Sequence, residues 1–79
     1  ALALLNNPFL LDQSAFLANR LEREAGANPS RQVTRAFQLA YGREPDPEEL
    51  NQSRQLIATH GLKAFCRALL NSSEFLFLM

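Results

Sequence analysis

The sequence predicts an all-α fold, a small bundle of about five helices. Three Asn-Pro or Asp-Pro pairs divide the chain, and each places a capping side chain before a proline that the first helical position tolerates. No stretch alternates apolar and polar residues as a half-buried strand does, and no Asn-Gly hairpin signal occurs. Short connections between the segments predict that successive helices pack as neighbours.

The first half of the chain contains one truncated helix and two complete ones. Residues 1–5 are apolar and have no N-cap before them, which predicts the end of an upstream helix. The second helix is predicted from Pro8 to Ala25, with Gly26 ending it, and the third from Pro29 to Tyr41. The apolar stripe of the second helix consists of Leu10, Leu17, Leu21 and Ala25, joined by Ser14 and Ala18 and widened by Phe9 and Phe16. The predicted buried face of the third helix consists of Val33, Ala36, Phe37 and Ala40.

The second half contains two helices and a short C-terminal turn. A polar fourth helix is predicted from Pro47 to His60, where Gly61 ends it, and a fifth from Leu62 to about Asn71. In the fourth helix the expected buried residues are Leu50, Leu56 and Ile57, and in the fifth they are Leu62, Phe65, Cys66, Leu69 and Leu70. A last turn over residues 73–78 is almost entirely apolar.

The corner between the third and fourth helices holds the candidate structural residues. Gly42 can adopt the positive φ that ends a helix, and Asp46 and Glu49 have the spacing of a capping box. Arg43 can pair with a carboxylate, either Glu49 or Glu74, and so clamp the corner to the last turn. The alternative is that Arg43 anchors an anionic ligand. The candidate structural set is Gly42, Arg43, Asp46, Glu49 and Glu74.

Composition excludes several classes of protein. The 79 residues carry eight basic and eight acidic side chains, so the net charge is zero, which argues against a nucleic-acid partner. No apolar run approaches the roughly 20 residues that a membrane span requires. Residues 1–79 are expected to form a single helical domain, a C-terminal fragment of a longer protein.

His60 and Cys66 are the only histidine and cysteine, and hence the only candidates for a Cys–His nucleophile pair. Cys66 lies on the apolar face of its helix, which is typical of a small buried hydrophobe, and His60 ends a helix, where a cation is favoured. A zinc site takes about four ligands, which one Cys and one His do not supply, and no Cys-x-x-Cys-His haem motif occurs. We therefore expect no catalytic, cofactor-binding or metal-binding residues, no cofactor and no enzymatic activity.

The apolar C-terminus has two interpretations. It can fold back onto the core of the bundle, or it can cover the rest of the parent protein or a second copy. The residues of this candidate interface are Phe75, Leu76, Phe77, Leu78 and Met79.

Several segments together resemble the C-terminal end of one protein family. These segments are Leu4–Phe9, Leu17–Leu21, Arg35–Phe37, Gly42–Pro45, Glu49–Leu50 and Ala68–Phe75. They look like the large planctomycete-type bacterial proteins with domains of unknown function that often accompany cytochrome c-like domains. The resemblance implies an exported, periplasmic or extracytoplasmic protein, and implies no activity for this segment. Any haem would belong to another domain.

A second resemblance covers only the later half. Tyr41–Asp46, Glu49–Leu50 and Leu70–Phe75 are similar to the helical repeats of phycobilisome linker proteins, where the pattern belongs to a packing and assembly unit.

The predicted function is a non-catalytic helical module that packs against the rest of its parent chain or a protein partner. Weak self-association into a homo-oligomer is left open. The alternative is an accessory domain of a larger exported redox or hydrolytic enzyme whose active site lies upstream. A stand-alone binder of a small ligand would require a concave pocket with polar lining.

Overall fold

Four helices make up the part of the protein that the structure, a computed structural model, describes, residues 8–71. They are α1 (Pro8–Ala25), α2 (Pro29–Tyr41), α3 (Pro47–His60) and α4 (Leu62–Leu70), and no strand occurs in this range. The prediction of an all-α fold is confirmed. The truncated first helix and the C-terminal turn, with Glu74 and Phe75 to Met79, lie outside the described residues.

The helix termini follow from local capping chemistry. The side chain of Asn28 accepts a hydrogen bond of 3.2 Å from the backbone N–H of Arg31, which satisfies a donor that the first turn of α2 leaves open. At the other end of α2, Gly42 adopts φ 71°, and its N–H donates to the carbonyl of Gln38. Asn71 is the C-cap of α4, so this helix ends one residue earlier than predicted.

A single residue, Gly61, separates α3 from α4. Its N–H donates to the carbonyl of Ile57 at 2.8 Å, and its own carbonyl accepts from the N–H of Phe65 at 3.3 Å. The residue has φ 95° and ψ 164°, a combination that residues with a β-carbon rarely adopt. Gly61 therefore ends one helix and begins the next.

The core is formed by side chains from α1, α2 and α4. Its buried members are Ala18, Leu21, Val33, Ala36, Phe37, Phe65, Cys66 and Leu69. α1 packs on α4 and α2, and α3 packs on the same two helices. The α3 side chains Leu50, Leu56 and Ile57 are only partly buried, which fits the polar character predicted for that helix.

The prediction that Phe9 and Phe16 widen the apolar face of α1 is wrong. Their side chains are 65% and 67% exposed. At 100° per residue, the two rings project from the side of the helix opposite to the one that carries Ser14 and Leu21, both buried. Apolar character alone suggested a wide face, but only one stripe of α1 reaches the core.

Gln32 is a buried polar residue that sequence reasoning missed. Its side chain is only 5% exposed, and its Nε2 donates to the backbone carbonyl of Gly26 at 2.6 Å. This bond joins α2 to the connection that follows α1, and it satisfies an amide that would otherwise be costly to bury.

Candidate functional site

Gly42 lies at the corner between α2 and α3, and three further candidate structural residues meet there: Arg43, Asp46 and Glu49. The N–H of Glu49 donates to Asp46 Oδ1 at 2.8 Å, and the N–H of Asp46 donates to Glu49 Oε1 at 2.9 Å. These reciprocal bonds form a capping box at the start of α3. Arg43 joins them through Glu49, whereas Glu74 lies outside the described residues.

The Arg43 guanidinium binds Glu49 through two parallel hydrogen bonds. Nη1 donates to Oε1 at 2.9 Å and Nη2 donates to Oε2 at 3.0 Å, while Nη1 also reaches the carbonyl of Glu44 at 3.1 Å. The guanidinium carbon lies 5.3 Å from the centre of the Phe37 ring and 5.4 Å from that of Tyr41, within cation–π range. These contacts tie the end of α2 to the first turn of α3.

Hydrogen bonding at the corner changes the acidity of Glu49. The bonds from Arg43, followed by the bond from the Asp46 N–H, lower the pKa of the Glu49 carboxyl to about 2. Glu49 is therefore a carboxylate near neutral pH, with its oxygens held by neighbouring donors. Such a group is a poor proton donor or acceptor for catalysis at pH 7.

His60 and Cys66 lie in different environments. Cys66 is fully buried in the core, and this burial raises the pKa of its thiol to about 12. His60 is exposed at the end of α3. A thiol that remains protonated at neutral pH is a poor nucleophile, so the arrangement does not favour a Cys–His pair. Across residues 8–71, no group of three His, Cys, Asp or Glu side chains is placed to hold a metal ion.

Two adjoining hollows lie on the outer side of α4. One, of about 430 Å³, lies between α4 and α1 and includes Leu11, Asp12 and Ala15. The other, of about 480 Å³, lies between α4 and α3 and includes Leu56 and Ala68. The residues common to both hollows are His60, Ala64 and Arg67, and Lys63 lines the first. We call the two hollows together the basic trough.

A second surface lies on the outer side of α1. Phe9 and Phe16 are seven residues apart, so their rings project along one stripe of the helix. We call these two side chains the aromatic face. Within residues 8–71, no helix combines the length and apolar character that a membrane crossing requires.

Comparison with known proteins gives one match. The family model described as PSD1, protein of unknown function (DUF1553), matches residues 1–57, more than half of the chain. The chain belongs to this family. No curated protein and no solved structure matches the DUF1553 chain.

The family match agrees with the first resemblance, to proteins with domains of unknown function. It places the DUF1553 chain among domains of unknown function, as the resemblance to such proteins implied. The expected association with cytochrome c-like domains and the likeness to phycobilisome linkers stay predictions. The matched residues include α1, α2 and most of α3, whereas α4 lies beyond them.

Sequence reasoning missed the basic trough, although a signal for it was present. From residue 50 to residue 73 the DUF1553 chain contains no Asp or Glu. In the same stretch Lys63 and Arg67 lie four residues apart, which places them on one side of α4, and His60 ends the helix before it. Charge asymmetry along the sequence, combined with helical spacing, would have indicated this surface.

Proposed function

We propose that this DUF1553 segment is a non-catalytic helical module that packs against the rest of its parent chain or a protein partner. The observation that carries the proposal is the aromatic face, formed by Phe9 and Phe16 on the side of α1 directed away from the core. Burying a Phe side chain stabilises an assembly by about 1.5–3 kcal/mol relative to leaving it in water. Two such rings on one stripe therefore favour a covered state.

The surroundings of the aromatic face support a docking role. Exposed polar side chains, among them Gln13, Asn19 and Arg20, lie on the same outer half of α1. Aromatic anchors with a polar rim are the usual composition of protein interfaces. The rings are spaced about 10 Å apart along the helix axis, from 1.5 Å per residue, so one partner element could contact both.

The chemistry-bearing groups support a non-catalytic role. Burial keeps the pKa of the Cys66 thiol high, and the Glu49 carboxylate is held by Arg43 and the capping box. We propose, on the family resemblance, that the parent protein is exported and that any redox or hydrolytic chemistry takes place in another domain.

Thiol labelling can test whether the parent protein covers the aromatic face. Gln13 is exposed on α1 between the two rings, and Gln55 is exposed on α3. The native Cys66 is buried and should react slowly with a labelling reagent. Within residues 8–71, a cysteine introduced at either exposed position would therefore be the thiol that reacts fast. The Gln13→Cys and Gln55→Cys variants are made both in the 79-residue chain and in the full parent protein.

We expect Gln13→Cys to react at least about tenfold more slowly in the parent protein, and Gln55→Cys to react at similar rates in both. Adding Phe9→Ser and Phe16→Ser to the Gln13→Cys parent protein should restore fast labelling. Equal labelling of Gln13→Cys in the isolated chain and the parent protein would contradict packing against the parent chain.

A further inference from the structure

We propose that the basic trough is a docking site for an acidic amphipathic helix. The trough is separate from the aromatic face, so this proposal does not rest on the one above. It follows from three observations: the shape of the trough, the small side chains along it, and the charges that line it.

The shape is that of two neighbouring shallow hollows beside α4. The two hollows, of about 430 and 480 Å³, share His60, Ala64 and Arg67 in their linings, and they lie side by side along α4, one toward α1 and the other toward α3. Each hollow can accept several side chains, since a fully enclosed small-molecule site typically has about 300–1,000 Å³. A ligand that contacts both hollows must extend across α4.

The lining of the trough permits close approach of a helix. Ala15, Ala64 and Ala68 place only methyl groups along it, while Leu11 on α1 and Leu56 on α3 provide larger apolar surface. Small side chains let helix backbones approach closely, and apolar side chains of an incoming helix can fill the hollows beside them. The occupant should therefore present an apolar stripe.

The charges lining the trough select an acidic occupant. Lys63 and Arg67 are cationic, and among residues 8–71 Asp12 is the one carboxylate that lines either hollow. Among the ion pairs of residues 8–71, which involve Arg20, Arg35 and Arg43, neither Lys63 nor Arg67 takes part. Because the whole chain has no net charge, this local excess is a property of the trough. Carboxylates flanking an apolar stripe would complement it.

Other macromolecules fit these observations less well. A nucleic-acid site needs a wider basic surface that contacts many phosphates, and Lys63 and Arg67 beside Asp12 do not form one. A membrane surface is flat, whereas the trough consists of two hollows between helices. An acidic helix matches both the concavity and the charge.

Binding can be measured with a designed peptide. The probe is a fluorescein-labelled peptide of about 16 residues, long enough for helix formation, with Leu along one stripe, Glu on both flanks and Ala elsewhere. A control peptide carries Lys in place of Glu. Fluorescence anisotropy with the 79-residue chain should show saturable binding of the Glu peptide, and binding of the Lys peptide at least about tenfold weaker.

Variants of the protein locate the binding site. Lys63→Glu combined with Arg67→Glu should weaken the Glu peptide about tenfold or more, because attraction at the trough becomes repulsion. Arg54→Glu changes the charge of an exposed α3 residue outside the trough and should change affinity less than about twofold. Ala68→Gln keeps every charge but adds bulk beside the second hollow, and should weaken binding about fivefold. Circular dichroism verifies that each variant is folded.

Several results would overturn the proposal. These are absence of saturable binding, equal weakening by Arg54→Glu and by the trough variant, or full affinity in Ala68→Gln, which would indicate unspecific charge attraction. Binding of phosphatidylserine vesicles that the Glu peptide fails to displace would assign the surface to a membrane. Self-association that Lys63→Glu with Arg67→Glu abolishes, measured by sedimentation, would assign it to a second copy of the chain.

Discussion

At the residue scale, Arg43 connects two helices that meet at a corner. Its guanidinium forms two hydrogen bonds with Glu49 of α3 and lies against Phe37 and Tyr41 of α2. Both ion-pair partners are partly exposed, with 40% of the Arg43 and 33% of the Glu49 side chain accessible. Solvent screening limits the contribution of such a pair, so we assign it about 1 kcal/mol rather than the larger value expected for a buried pair.

The pH dependence of stability should reveal this ion pair. The folded-state pKa of Glu49, about 2, lies below its ordinary value of 4.5. The pair therefore stabilises the fold fully above about pH 4.5, and this contribution is lost as the pH falls through about 2. Glu49→Gln removes the charge but retains a side chain able to close the capping box. We expect the variant to be about 1 kcal/mol less stable at pH 7, and this difference in stability to shrink as the pH falls through about 2, by urea unfolding.

The neighbouring Glu48 provides the control for this experiment. It is exposed and lies one residue before Glu49 in the first turn of α3. Glu48→Gln should reduce stability by only a few tenths of a kcal/mol, through the helix dipole. Glu24 also has a lowered pKa, through hydrogen bonds from Arg20 and Arg35, but it is present in every variant and cancels from the difference. An unchanged pH profile in Glu49→Gln would contradict the role of the pair.

At the element scale, helix boundaries were predictable because their signals are local. The starts of α1, α2 and α3 coincide with the predicted prolines, and Gly26, Gly42 and Gly61 follow the helix ends. Each signal acts through bonds within one turn, so spacing in the sequence determines it. The corner at Asp46 and Glu49 belongs to the same class.

Contacts between helices were harder to predict, because they depend on which helices pack together and no short stretch of sequence specifies that packing. Phe16 was assigned to the apolar face of α1 because of its residue type. Which side of α1 is buried depends instead on where α4 and α2 pack against it. Gln32 was overlooked because a polar residue on a buried stripe requires a specific partner, the Gly26 carbonyl. The rings beside Arg43 were missed for the same reason, since they approach it only after the corner folds back.

Gln32 also gives a prediction about the junction of α1 and α2. In Gln32→Glu, a carboxylate would replace the donor that binds the Gly26 carbonyl at 2.6 Å, leaving two acceptors opposed in a buried site. We expect a loss of about 2 kcal/mol or more at pH 7, measured by urea unfolding, and a smaller loss at low pH where the carboxyl is protonated. Gln55→Glu, at an exposed position of α3, should change stability by less than about 0.5 kcal/mol. Equal effects of the two substitutions would contradict this account.

At the scale of the whole molecule, the family match and the structural unit have different limits. The match ends at residue 57, within α3, whereas the core includes Phe65, Cys66 and Leu69 of α4. These three side chains pack among those of α1 and α2. The folded unit therefore extends beyond the matched residues.

Truncation tests this difference. Burial of each large apolar side chain contributes about 1.5–3 kcal/mol, and a domain of this size has a total stability of only about 5 kcal/mol. Residues 1–60, which lack α4, should therefore fail to show cooperative thermal unfolding by circular dichroism. Adding a synthetic peptide of residues 61–79 should restore helicity and a transition. A cooperative unfolding transition in residues 1–60 alone would contradict the claim that the fold requires α4.

The one-residue connection at Gly61 has a consequence for how the chain can vary. Since that residue caps one helix and opens the next, an inserted amino acid would rotate α4 relative to α3 and misalign the apolar side chains that meet there. The exposed connection at residues 26–28 is a more permissive place for an insertion, provided that the Gly26 carbonyl remains within reach of Gln32. The chain should therefore tolerate an added residue at positions 26–28 far better than one beside Gly61.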